Sequence, residues 1–121
     1  VGRHASSLTL ENVLKSAIWI SYDLGIRGNY SGLYAWLDSH GAKECGDSVA
    51  FLDYEHYGNL RDEVFAELKN VLAGEKNARI YLIYRDKTTN KNKGAFLFGG
   101  RRASPWTGYS PKGNGAVDEE G

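Results

Sequence analysis

The stretch Ala17-Ile18-Trp19-Ile20-Ser21-Tyr22-Asp23-Leu24 constrains the fold more than any other part of this chain. Ile, Trp and Tyr at neighbouring positions put large apolar groups on both sides of an extended strand, the pattern of a central strand in a sheet. An acid at its exit, followed by Gly25, stands at the rim of that sheet. Asp23 is therefore the first candidate for chemistry.

The rest of the chain is organised around this strand. Asn29 is a suitable N-cap, and Tyr30, Leu33, Tyr34 and Leu37 fall on one helical face, so residues 30–40 read as an amphipathic helix closed by Gly41. Trp36 lies at the edge of the apolar stripe and is expected to close the rim of the core. Gly46-Asp47 suits a two-residue hairpin turn between a short strand at residues 42–45 and a longer one at 48–54. Asn59 then caps a second helix that carries Leu60, Val64, Leu68, Val71 and Leu72 on one face, with Asp62 and Glu63 in its first turn and Gly74 as its stop. Residues 79–85 alternate Ile80, Leu82 and Tyr84 against Tyr81 and Ile83, a strand expected to be covered on both faces. Thr88 to Gly94 reads as a polar turn, and residues 95–98 as a last strand ending at Gly99-Gly100.

This order, β-α-β-β-α-β-β, is that of an α+β, ferredoxin-like βαββαβ sandwich with one additional C-terminal strand. At 121 residues the chain is large enough for one domain with a core of its own. Residues 1–15 are expected to be an N-terminal arm or remnant, 16–100 the domain, and 101–121 an extended tail. Both helices are placed on one sheet face, with the first and third strands at its centre. The other face keeps apolar side chains, which predicts a homodimer that buries it through Trp19, Tyr81, Phe96, Phe98 and Trp106.

The single cysteine, Cys45, cannot form an internal disulfide and reads as a small buried thiol. The lack of an apolar run near 18 residues, and of a leader sequence, points to a cytoplasmic protein with no membrane association. Zinc is disfavoured: His40, Cys45 and His56 lack the paired ligand spacing, and His40 is explained by the helix C-terminus beside it.

Charge is balanced overall but not locally. From Arg79 to Lys112 there are eight basic residues and one acid, Asp86. With aromatics interleaved, Arg85, Lys87, Lys91, Lys93, Arg101 and Arg102 are candidates for contact with RNA or DNA phosphates. Trp106 could stack on a base, but an interface anchor is the favoured role. Gly99-Gly100 is not a phosphate loop, because no Lys-Ser/Thr follows at the required spacing.

Ile20-Ser21-Tyr22-Asp23-Leu24 as first strand, the helix closing at Gly41, Asp47-Ser48-Val49-Ala50-Phe51 as the next strand and Phe98-Gly99 in an appended strand resemble the small ferredoxin-like proteins related to CRISPR-associated Cas2. The resemblance covers about residues 17–100 and rests more on the order of elements than on any motif. It implies a compact dimer whose last strand crosses to the partner's sheet and in which an Asp from each subunit faces its mate across the two-fold. Asp23 then takes the catalytic, Mg²⁺-associated position of a metal-dependent nuclease, and Ser48 the polar place on the hairpin strand. Other members of that family are non-catalytic adaptors that hold nucleic acid, so a dimeric interaction protein with a protein partner is the competing expectation. Only Arg27 follows the Asp where the family carries an Arg-rich helix. Asp53 and Glu55 are further carboxylates for a metal, but an antiparallel pairing of the first and third strands would carry them away from Asp23.

Overall fold

The computed structural model describes residues 12–111. Five strands and two helices follow one another as β1 (Leu14–Asp23), α1 (Tyr30–Ser39), β2 (Lys43–Glu44), β3 (Val49–His56), α2 (Leu60–Val71), β4 (Arg79–Asp86) and β5 (Lys91–Phe98). The strands form one sheet in the order β2-β3-β1-β4-β5, each neighbour antiparallel to the next. The opening stretch of the sequence is thus its middle strand.

Strand alternation decides which side holds the core. Ser16, Ile18, Ile20 and Tyr22 of β1, Ala50, Leu52, Tyr54 and His56 of β3, and Ile80 and Leu82 of β4 are buried on one face. Leu33, Trp36 and Leu37 of α1 and Leu60, Val64 and Leu68 of α2 are buried with them. Each fully enclosed aliphatic side chain in this layer contributes about 1.5–3 kcal/mol. Both helices therefore lie on the same face, as expected. The opposite face stays open: Trp19 and Ile83 are 39% and 40% exposed. Among the described residues, no second layer covers the other face of β4.

The caps form as the sequence predicts. The Asn29 side chain accepts from Gly32 N at 3.0 Å and that of Asn59 from Asp62 N at 2.9 Å. Asn29 also ties the two helices together, since its Nδ2 donates to Val71 O at 3.1 Å and its backbone N to Glu75 Oε1. Trp36 closes the core rim with its indole N–H on Glu67 Oε1 at 2.8 Å.

Four expectations are corrected. β1 begins at Leu14, because Leu14, Lys15 and Ser16 pair with His56, Glu55 and Tyr54. The β2–β3 turn is longer than two residues: Cys45 N donates to Val49 O at 2.9 Å, enclosing Gly46, Asp47 and Ser48. Cys45 is exposed at that turn, since the short edge strand has nothing packed over it. β5 starts at Lys91 rather than Ala95, and it pairs with β4 of its own chain. Residues 1–11 of the expected arm and 112–121 of the expected tail lie outside the described residues.

Candidate nucleic-acid interface on the open sheet face

The open face carries two patches. Trp19 packs on Phe51 across β1 and β3 with ring centroids 5.0 Å apart, and Ile83 flanks it on β4. Nearer the exit of β1 is a cleft of about 250 Å³, lined by Ser21, Asp23, Arg79, Tyr81, Phe96 and Arg101 together with Tyr22.

Strand register builds this cleft. Asp23 is opposite Arg79 and Ser21 opposite Tyr81, and Tyr81 in turn is opposite Phe96. Ile80 pairs with Phe98 and Tyr81 with Phe96, which leaves Leu97 as an extra residue in β5. In a regular strand Phe96 and Phe98 would share a face; one inserted residue sends Phe98 to the other side. Phe98, expected on the same interface as Phe96, accordingly stacks on Phe65 of α2 at 5.1 Å. Phe96 remains on the open face, edge-on to Tyr81 at 4.8 Å.

Two glycines are fitted to this arrangement. The Tyr81 phenol lies against Gly94, where a Cβ would collide with the ring. Gly99, at φ 70°, turns the chain so closely past β4 that a Cβ there would come within 2.9 Å of Ala78 O. That turn lets Gly100 O accept from Arg79 Nε at 3.1 Å and carries Arg101 back over the aromatics. The Arg101 guanidinium is 5.5 Å from the Phe96 centroid and 5.7 Å from that of Tyr81, and Arg79 is 5.6 Å from Phe96. Cation–π contact holds both heads against the ring faces. The ion pairs among the described residues are His40–Glu67 and Lys93–Asp86, so neither of these guanidiniums is neutralised by a carboxylate in direct contact.

Asp23 lines the cleft with one oxygen already engaged, Oδ1 accepting from Gly25 N at 3.0 Å. Among the described residues it is the sole carboxylate there, beside two guanidiniums. Asp53 and Glu55 pair with Ala17 and Lys15, and Ala17 is six residues from Asp23, roughly 20 Å along an extended strand. No group of three His, Cys, Asp or Glu suited to a metal occurs among the described residues.

The basic residues expected to form one strip are split between the two ends of the β4–β5 hairpin. Arg101 joins Asp23, with Arg102 exposed beside it. At the far end Arg85 donates to Asn90 and Asn92, Lys87 Nζ to Lys15 O at 3.1 Å, and Lys93 pairs with Asp86 at 2.7 Å. Lys91 is exposed opposite Asp86. Trp106 is 72% exposed in a turn where Tyr109 N donates to its carbonyl. Ser48 is exposed in the β2–β3 turn, its carbonyl accepting from Tyr22 N at 2.9 Å. Arg79 is part of the basic strip in the sequence but is not singled out there as a site residue; its place opposite Asp23 comes from the β1–β4 register.

No helix among the described residues is long and apolar enough to cross a membrane. Compared with known proteins, the chain matches no family model, no curated protein and no solved structure.

Proposed function

We propose that this chain is a Cas2-like, homodimeric protein that holds RNA or DNA at the Arg79–Arg101 cleft. The observation that carries this reading is the pair of guanidiniums laid over Phe96 and Tyr81 with no carboxylate among the described residues in contact. Positive charge next to exposed ring faces suits phosphate contact combined with stacking of an unpaired base. The order of elements and the strand order β2-β3-β1-β4 support a ferredoxin-like βαββαβ sandwich, with β5 added outside β4. The apolar patch of Trp19, Phe51 and Ile83 beside the cleft supports burial against a second copy. In this reading the protein works in the cytoplasm, where its lone cysteine stays reduced.

Binding is the primary activity of this reading. Mg²⁺-dependent cleavage is its enzymatic form and requires Asp23 from both subunits, since one carboxylate among guanidiniums does not hold the ion. Affinity for a single-stranded oligonucleotide, measured across salt concentrations, tests the binding form. Replacing Arg79 and Arg101 together by Ala is expected to flatten the log–log salt slope by about 1.4, two phosphate contacts at about 0.7 each. Salt-independent affinity, or none, overturns the proposal in favour of a protein partner. Strand cleavage in Mg²⁺ that Asp23→Ala abolishes would establish the enzymatic form, and no cleavage removes it.

A further inference from the structure

Ser16 and His56 are the two buried polar side chains among the described residues, each 5% exposed. They come from β1 and β3, forty positions apart in sequence, and meet with Ser16 Oγ 2.8 Å from His56 Nε2. The other ring nitrogen, Nδ1, is 2.8 Å from Gly58 O. A carbonyl oxygen only accepts, so Nδ1 carries a proton; when the ring is neutral, its Nε2 lone pair takes the Ser16 hydroxyl. The result is a hydroxyl aimed at a base whose tautomer and plane are set by a third group.

This pair borders a cavity of about 280 Å³, separate from the Arg79–Arg101 cleft and lined also by Gly58, Leu60, Arg61 and Tyr84. The first turn of α2 forms one wall. Its Asp62 N is taken by the Asn59 side chain and its Glu63 N by Asn59 O, while helix geometry leaves the amides of Leu60 and Arg61 without intrahelical acceptors. Both residues line the cavity, together with the basic residues Arg85 and Lys87.

We propose that Ser16 and His56 form a nucleophile–base pair that hydrolyses a small ester bearing a negative charge. Ser16 Oγ bonds to the ester carbonyl carbon as its proton passes to His56 Nε2. The bond from that carbon to the alcohol oxygen breaks, and the His56 proton goes to the leaving oxygen. Water, giving a proton to His56, then attacks the acyl-serine; the acid leaves and the Ser16 hydroxyl is restored. The Leu60 and Arg61 amides are the donors for the oxyanion, and Gly58 O is a positioning group. Three basic residues, Arg61, Arg85 and Lys87, stand against one acid of the lining, Asp86, which is paired with Lys93, and favour the anionic substrate.

The test is hydrolysis of mono-p-nitrophenyl succinate by the full chain, with intact-mass detection of a fluorophosphonate adduct. The expected results are nitrophenolate release that falls about 10²–10⁴-fold in His56→Gln, loss of turnover in Ser16→Ala, and a single adduct mapped to the peptide containing Ser16. Adduct mapping needs only the unaltered protein, so it decides the matter even where a variant fails to fold. No adduct, an adduct on another residue, or equal rates in the folded Ser16→Ala protein overturns the proposal.

Discussion

Glu67 is exposed on α2, yet its two oxygens organise the rim of the core. Oε1 accepts the Trp36 indole N–H at 2.8 Å and Oε2 the Tyr54 hydroxyl at 2.7 Å, while His40 Nε2 stands 3.5 Å from Oε1. Tyr54 is almost fully buried, and that burial, followed by its bond to Glu67, pushes its phenol well above the ordinary tyrosine value. The hydroxyl therefore stays a donor across the physiological range. Glu67→Ala removes both acceptor oxygens and leaves two part-buried donors unpaired, at about 1–3 kcal/mol for each group that water cannot reach. Urea denaturation is expected to show a loss of roughly 2–4 kcal/mol for Glu67→Ala and a smaller one for Glu67→Gln, which keeps a carbonyl oxygen for one of the two donors. Equal stability of Glu67→Ala and the unaltered protein would show that water replaces these bonds at no cost.

The β4–β5 hairpin is where local electrostatics holds an element that strand propensity does not. Asp86 accepts from Thr88 N at 2.8 Å and pairs with Lys93 at 2.7 Å, and Asn90 closes the turn at φ 59°. The Lys93 contact, helped by the Thr88 amide, holds the Asp86 carboxyl below its ordinary value of 3.8, and Asp86 in turn raises Lys93 above 10.5. A lowered acid stabilises the fold above its unfolded pKa and loses that contribution as pH falls through the lowered value. A raised base does so below its unfolded pKa, with loss as pH rises through the raised one. The hairpin tip is thus expected to be intact across the whole interval between, with the Thr88 and Lys91 amide signals shifting in acid with a midpoint below 3.8. Asp86→Asn should abolish that acid transition; an NMR titration with its midpoint at the ordinary carboxylate value would contradict the pairing. The same hairpin shows what a sequence leaves unread. β1, β4 and both helices were legible from alternation, caps and stop glycines, whereas Lys91-Asn92-Lys93-Gly94 has the composition of a turn and is extended because β4 offers it a partner edge. The Leu97 bulge that separates Phe96 from Phe98, and the meeting of Ser16 with His56, depend on register and on distant pairing. Asp23 and Arg101 were visible as single residues; their convergence with Arg79 was not.

At the scale of the whole molecule, charge on the open face is sorted across the strands. Asp53 and Glu55 point outward from β3 on one side of β1, and Arg85 of β4 and Lys87 just beyond it lie on the other side. In the proposed homodimer the two open faces meet about 10 Å apart. A two-fold axis running across the strands would set β3 against β3, with acid opposed to acid where the axis passes near Tyr54. An axis running along β1 sets β3 against β4 instead, so that Asp53 and Glu55 of one copy face Arg85 and Lys87 of the other, and Phe51 faces Ile83. Both Asp23 residues then lie at the same end of the dimer. Charge complementarity selects this second axis, because like charges opposed at an interface cost several kcal/mol. Asp53→Arg and Arg85→Asp are each expected to shift sedimentation toward the monomer, since each alone opposes like charges at two symmetry-related places. Mixing the two variants makes a heterodimer with one pairing restored in reversed sense and the other left as in the unaltered protein, and association should return. Dimers that persist in both single variants would place the contact elsewhere, and a mixture that stays monomeric would rule out the axis along β1.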